Sequence, residues 1–244
     1  MRHGIDEIKK RMKRAIVAHQ MLQSNEPVMV GLSGGKDSMT LLWFLKDFLR
    51  ISKYKYPLAA GHVCLGFPND DTTKMEAFCK ELDVPFYCEH TQIGELIFDV
   101  RKEKNPCSLC AKMRRGALNQ LAVDHGYRKI ALAHHQDDVV ETLLLNLMFE
   151  GRLGSFKPIT ELDRLGVTVI RPFIYVPEEQ ISYFVRKYEI PVSKSNCPQN
   201  CLGKRQEMKA LLKNLDTLAP GYKDRATGAL DKQFGSEWDG GTKK

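Results

Sequence analysis

The chain has 244 residues, enough for one large domain or a domain with a short appendage, and 37 Lys and Arg against 30 Asp and Glu leave a formal charge of +7. That balance suits a polyanionic partner without identifying one. With no stretch near the roughly 20 apolar residues of a membrane span, no apolar signal core, and an odd seven cysteines, a soluble cytoplasmic protein without a disulfide framework is expected.

Residues 4–23 place Ile5, Ile8, Met12, Ile16 and Leu22 near helical spacing, with Lys9, Lys10, Arg11, Lys13 and Arg14 on the other faces. This is an amphipathic basic helix, read as a segment of its own (residues 1–26) that either lids the core or meets RNA. From Val28 an apolar run breaks at a glycine pair and restarts as a helix, Val28-Met29-Val30-Gly31-Leu32-Ser33-Gly34-Gly35-Lys36-Asp37-Ser38. The pattern predicts a strand, a phosphate-sized loop and a helix N-terminus. Gly34 and Gly35 leave no Cβ between main-chain N–H groups and an anion, Ser33 and Ser38 add hydroxyls, and Lys36 adds charge. Asp37 is a carboxylate suited to holding Mg²⁺ beside phosphate oxygens. The spacing is not that of a Walker loop. Read blandly, the same residues make a tight turn and a polar first helical turn.

Met39 to Leu45 predicts a buried helix ending near Ile51. Strands follow at Leu58–Leu65, Val84–Cys88, Lys129–His134 and Val167–Phe173, and helices at Thr73–Leu82, Asp138–Phe149 and Glu178–Tyr188, the last introduced by Pro177. The alternation predicts an α/β fold, a Rossmann-like open parallel five-stranded sheet with helices on both faces and its ligand beyond the strand C-termini. Cys64, Cys79 and Cys88 fall inside these elements as small buried hydrophobes and are assigned no chemistry. The catalytic domain is expected over residues 27–215, and the glycine-rich, charged stretch 216–244 as a poorly ordered tail.

Two further strings carry chemistry. Ala133-His134-His135-Gln136-Asp137-Asp138-Val139-Val140-Glu141-Thr142 also ends a strand, so it lands on the same sheet edge as the phosphate loop. Asp138 with Glu141 would serve equally as a capping box, and the His-His-Asp-Asp cluster as a metal site. Pro106-Cys107-Ser108-Leu109-Cys110 offers two thiols at metal or redox spacing, followed by Lys112, Arg114 and Arg115, with Cys197 and Cys201 far downstream. The residues alone leave zinc and an iron–sulfur cluster open.

Ser33 to Ser38 resembles the SGGxDS loop of the PP-loop ATP pyrophosphatases, and His134 to Thr142 the second signature of their tRNA-modifying members. With Pro-Cys-Ser-Leu-Cys, Arg114-Arg115-Gly116, Val-Ile-Arg171-Pro172 and a late cysteine ahead of a basic helix at Lys204–Leu215, residues 5–215 resemble the tRNA 2-thiocytidine synthetase branch. That resemblance implies ATP on Ser33, Gly34, Gly35, Lys36, Asp37 and Ser38 with His134 nearby, and catalysis by Lys36, Asp37 and Asp138. It implies Mg²⁺ on Asp37 and Asp138, and a [4Fe–4S] cluster on Cys107, Cys110 and Cys197 whose fourth iron stays open. The family carries C-x₂-C late in the chain; here the spacing is C-x₃-C, which leaves Cys201 as an extra thiol. Lys102, Lys104, Arg114 and Arg115 would place tRNA phosphates, and Arg171 would steady the nucleotide or the sheet edge. The implied activity is ATP-dependent conversion of an anticodon-loop cytidine to 2-thiocytidine, with sulfur from a donor such as a cysteine desulfurase system and no membrane partner; family enzymes suggest a homodimer. The alternatives are a PP-loop enzyme acting on another acceptor, by uridine thiolation or lysidine-type ligation, and a zinc-clipped RNA-binding protein without catalysis.

Overall fold

The computed structural model describes residues 4–67, 70–100, 106–193 and 204–239. Its elements begin with α1 (Ile5–Ala18), β1 (Val28–Leu32), α2 (Lys36–Ile51), β2 (Leu58–Cys64), α3 (Thr73–Glu81) and β3 (Phe86–His90). A short turn, α4 (Ile93–Glu95), runs on as a π-helix over Leu96–Val100 and precedes α5 (Pro106–Asp124) and β4 (Lys129–Ala131). Then come α6 (Gln136–Leu145), a π-helical turn over Asn146–Glu150, β5 (Ile159–Leu162), β6 (Val167–Ile170), α7 (Glu178–Lys187), α8 (Lys204–Leu218) and α9 (Tyr222–Phe234).

The sheet order is β3-β2-β1-β4-β6-β5. Strand β1 pairs in parallel with β2 on one side (Val28 opposite Leu58) and with β4 on the other (Val28 opposite Lys129). The chain therefore winds outward from β1 to β3, returns over α5, and winds the other way from β4. The reversal lies between β1 and β4, and open α/β sheets bind ligands beyond the strand ends at that point.

Alternation along β1 divides the core. Val28 and Val30 join Ile8, Met39, Phe44, Phe78, Ile181, Phe184 and Leu230 on one face, while Met29 joins Ala59, Ala122 and Ile130, with Leu118 packed against them, on the other. Phe44 and Phe184 are almost fully buried with ring centroids 4.9 Å apart, and each such side chain contributes roughly 1.5–3 kcal/mol of burial. The basic helix α1 lies on this core through Ile8, Met12, Ala15 and Ile16. Three of its five cations pair with carboxylates of other elements: Lys9 with Asp47 at 2.7 Å, Arg11 with Asp224 at 2.7 Å and Arg14 with Asp231 at 3.4 Å. Among the described residues no helix is long and apolar enough to cross a membrane.

Three expectations are corrected. The sheet has six strands, because Ile159–Leu162 pairs antiparallel with β6 through a turn closed by Gly166 at φ 59°; four residues are too few to announce a strand by periodicity. Strand ends differ as well: β3 starts at Phe86 rather than Val84, β4 stops at Ala131 rather than His134, and β6 at Ile170 rather than Phe173. Finally, the stretch expected to be a poorly ordered tail forms the end of α8 and all of α9, and Trp238 beyond it is fully buried. Trp238 meets the ring of His19 edge-on at 5.8 Å, and its carbonyl accepts the Ser155 N–H. Leu230, Phe234 and Trp238, spaced by four, anchor a segment whose glycines and charges otherwise resemble a tail. Residues of α1 and α9 share one core with the sheet, so the boundaries expected at 26 and 215 separate no cores.

Candidate active site

The chain leaves β1 at Leu32 and re-enters helix at Lys36. Gly34 between them sits at φ 76°, where an added Cβ would also lie 3.1 Å from the Cβ of Ser193. A side chain there is both strained and obstructed. The two hydroxyls brace the loop: Ser38 Oγ accepts the Ser33 N–H at 3.1 Å, lies 3.1 Å from Ser33 Oγ, and donates to the Gly35 carbonyl at 3.0 Å. Gly35 is the N-cap and supplies no side-chain acceptor, so the first N–H groups of α2 and the positive end of its dipole remain for an anion.

Lys36 Nζ sits 2.7 Å from Asp37 Oδ1 and 2.9 Å from Glu178 Oε1. Burial opposes its charge, but Asp37 and Glu178 outweigh burial and hold its pKa above the ordinary lysine value. For Glu178, burial acts upward and the Lys36 ammonium, the larger influence in sum with its hydrogen bond, carries the pKa below the ordinary carboxylate value.

The second loop follows β4. His135, 3 % exposed, is the N-cap of α6: its main-chain N–H donates to Asp138 Oδ2 at 2.9 Å, and its ring Nδ1 accepts the Asp138 N–H at 3.4 Å. The capping box is thus His135 with Asp138, not Asp138 with Glu141. The other ring nitrogen, Nε2, lies 3.9 Å from Asp37 Oδ1. Asp37 and Asp138 therefore stand on either side of one imidazole, at the switch point. His134 projects elsewhere, with its ring 4.9 Å from that of Phe156; neighbouring residues in extended chain face opposite ways.

Residues far away in sequence hold this second loop. Asp137 Oδ2 accepts the Glu178 N–H at 2.7 Å, and Oδ1 meets Lys223 Nζ of α9 at 2.6 Å. Gln136 donates to Asp224 at 2.8 Å, the carboxylate that also holds Arg11. Glu178 and Lys223 were not among the sequence candidates, and His135 and Asp137 stood in the His-His-Asp-Asp string without a role of their own beyond a possible metal site.

Helix α5 carries Cys107 and Cys110, three residues apart on its first turn, Cys107 exposed and Cys110 packed beside Val63, Ile93 and Ile97 past the end of β2. His62 of β2 lies between the two regions. Its Nδ1 donates to the Leu32 carbonyl at 2.9 Å, immediately before the phosphate loop, and burial lowers its pKa with a further lowering from Arg114. Arg114 is half-buried, and its pKa is lowered by that burial against the pull of Cys110 and Asp70. Arg115 is exposed. Arg171 reaches the Lys157 carbonyl at 2.6 Å and Thr160 Oγ1 at 2.9 Å, so it secures the β5 edge; burial, aided by Arg115, lowers its pKa to about 10. Lys102, Lys104, Cys197 and Cys201 lie outside the described residues.

Comparison with known proteins agrees with this geometry. Residues 5–202 match the model of the PP-loop domain family. The tRNA-cytidine(32) 2-sulfurtransferase of Geobacter metallireducens is 38 % identical over 229 residues, covering 92 % of this chain and 88 % of that protein. That of Syntrophotalea carbinolica is 36 % identical over the same shares of both chains. Among solved structures, the U34-tRNA thiolase NcsA from Methanococcus maripaludis with its [4Fe–4S] cluster superposes with a TM-score of 0.76 at 26 % identity, over 93 % of this chain and 78 % of that one. The strand-loop-helix with its paired carboxylates, the cysteine helix on the same sheet edge and the near full-length similarity converge: the chain belongs to the PP-loop family, among the tRNA-cytidine(32) 2-sulfurtransferases.

Proposed function

We propose that this chain activates the C2 oxygen of a tRNA cytidine with ATP and replaces it with sulfur, giving 2-thiocytidine. The observation that carries the reading is the placement of Asp37 and Asp138 on either side of His135, beside an anion-ready helix N-terminus. ATP phosphates occupy the Ser33–Ser38 loop and compete with Asp37 and Glu178 for Lys36. The cytidine oxygen bonds to the α-phosphorus, the bond to the β-phosphate oxygen breaks, and pyrophosphate leaves. Lys36 and the α2 N–H groups face the charge that develops on the phosphates, where fixed donors act most strongly. Asp37 Oδ1 meets Lys36 and Asp138 Oδ2 accepts the His135 N–H; the two carboxylates would hold Mg²⁺, which would neutralise charge on the departing pyrophosphate. In the second half-reaction a sulfur nucleophile bonds to C2 and AMP departs with the C2–O electron pair. Adenylation has by then converted an oxide-like leaving group into a phosphate ester.

Cys107 and Cys110 suit iron as thiolates at a helix N-terminus. With Cys197 they would hold a [4Fe–4S] cluster, which would supply the sulfur-transfer chemistry. The exposed Arg115 beside this turn, with Lys102 and Lys104, is assigned to tRNA phosphates. A cytoplasmic location, a homodimer and sulfur from a cysteine desulfurase system rest on the family alone. The test is anaerobic reconstitution with iron, sulfide, ATP and tRNA, read by nucleoside mass spectrometry and pyrophosphate release. One 2-thiocytidine per pyrophosphate is expected; formation of 2-thiouridine in its place would move the chain to the uridine-thiolating enzymes, and pyrophosphate release without thiolation to a ligase.

A further inference from the structure

Three side chains that the activity above does not use converge at the far edge of the sheet. Cys64 ends β2, while Cys88 and His90 lie on β3, and the parallel register sets His62 opposite Cys88 and Cys64 opposite His90. Residues two apart on a strand share a face. This face is the one covered by α3, since Ala60 and Phe86 of the same strands pack with Met75, Phe78 and Cys79. The sulfurs of Cys64 and Cys88 are 3.3 Å apart, and one ligand atom from each of Cys64, Cys88 and His90 lies within 4.8 Å of the others. Cys64 is buried, Cys88 half-buried and His90 exposed, so the cluster has a closed floor and an entrance.

We propose that Cys64, Cys88 and His90 form a second metal site, separate from Cys107 and Cys110, that takes a single zinc-type cation and leaves its fourth position to solvent or an exogenous ligand. Zn–S bonds of about 2.3 Å and Zn–N bonds of about 2.0–2.1 Å set tetrahedral ligand atoms roughly 3.5–3.8 Å apart, within reach of the observed spacing by small side-chain adjustments. A four-iron cube holds each thiolate on a different iron and needs sulfurs farther apart than this pair. Two sulfurs and an imidazole select a soft or borderline cation over Mg²⁺. Glu76 of α3 lies near enough to act electrostatically on Cys88, which adds negative potential to the cation's surroundings. A bound cation would also tie the ends of β2 and β3 together, next to the turn in which Asp70 collects the N–H groups of Leu65, Gly66 and Phe67.

The test uses the full chain with Cys107→Ser and Cys110→Ser, so that no cluster forms, titrated anaerobically with Co²⁺ and then Zn²⁺. One equivalent of Co²⁺ should give thiolate-to-metal charge-transfer absorption that zinc bleaches. Adding Cys64→Ala or Cys88→Ala should abolish it, and His90→Ala should weaken Co²⁺ binding at least tenfold. His90 is exposed, so its variant keeps the fold whatever the cysteine variants do. Absorption that survives both cysteine substitutions in folded protein would assign the metal to Cys197 and Cys201 and overturn the proposal. A readout on the wild-type chain needs no variant: zinc should protect Cys88 from alkylation, and unchanged alkylation with zinc bound would equally overturn it.

Discussion

The two loops at the switch point hold their carboxylates by different physics. Asp37 is held by charge, through Lys36 at 2.7 Å, a cation that it shares with Glu178. Asp138 is held by the backbone, as half of the capping box that starts α6. An ion pair reshuffles when a phosphate arrives, whereas a cap holds whether or not the site is filled. The phosphate loop is thus the adaptable side of the site and the His135–Asp138 loop its fixed frame. That frame is in turn braced from α9 through Lys223 and Asp224.

The difference predicts two kinds of dead enzyme. Asp37→Asn and Asp138→Asn should each lower pyrophosphate release by about 10³-fold, in line with loss of a group that stabilises transition-state charge. Asp37→Asn should melt like the wild type. Asp138→Ala, which removes the cap as well, should lose about 1 kcal/mol, or roughly 2–4 °C in Tm for a chain of this size. Thermal melts beside the pyrophosphate assay decide this; an unshifted Tm for Asp138→Ala would show that the cap does not support the frame.

Removing the brace should also separate the two loops. Trp238→Ala opens a cavity in the core and should cost about 3–5 kcal/mol. Because α9 holds Asp137 through Lys223 and Gln136 through Asp224, amide hydrogen exchange should rise at the start of α6 more than at the start of α2. Equal loosening of both loops would mean that the frame and the phosphate loop are one unit.

What the sequence announced and what it hid follows the same line. The phosphate loop was legible because its chemistry is local: strand, glycines and helix N-terminus fall within eleven consecutive residues from Val28 to Ser38. The α/β class and the parallel pairing of the central strands were legible from alternating elements. Hidden were contacts that join distant segments: Glu178 on Lys36, Lys223 on Asp137, and Cys64 beside Cys88 across two strands. The helix of α9 was hidden for another reason. Its composition resembles a tail, and Leu230, Phe234 and Trp238 against the core, with Lys223, Asp224 and Asp231 paired to other elements, outweigh it. His134 was preferred to its neighbour because the string offers both histidines; only the direction of the chain at Ala133–His135 brings His135 to Asp37.

Held and presented charge also divide one turn of α5. Arg114 is half-buried beside Asp70 and Cys110, while Arg115 is exposed. Arg115→Glu should therefore weaken tRNA binding and reduce the slope of log K against log salt by about 1, the signature of one lost phosphate contact. Arg114→Gln should change the slope less and the melting temperature more. Filter binding across a salt series, with melts alongside, separates the two; identical slopes for Arg115→Glu and the wild type would return Arg115 to an ordinary solvated position.

The smallest expected effect concerns Glu178, the outer partner of Lys36. Its folded pKa lies below the ordinary 4.5 because Lys36 favours the charged form more than burial opposes it. A carboxylate with a depressed folded pKa contributes stability that is complete above its unfolded value and is lost as pH falls through the folded one. Lys36, whose pKa is raised above 10.5, contributes below that value and loses its share only as pH rises past the folded pKa. The pair is therefore fully formed between about pH 5 and pH 10 and weakens first on the acid side. Glu178→Gln should lower Tm slightly at pH 7, and the difference should shrink as pH falls through the folded pKa of Glu178. At neutral pH the same variant should bind ATP more tightly, since Lys36 then has one competitor fewer for the phosphates, while Asp37 still keeps it at the loop. Melts across this pH range and ATP titration by calorimetry check both outcomes. A Tm difference that persists undiminished at acid pH would mean that Glu178 acts through packing, and weaker ATP binding would mean that it positions Lys36 for the nucleotide instead of competing with it.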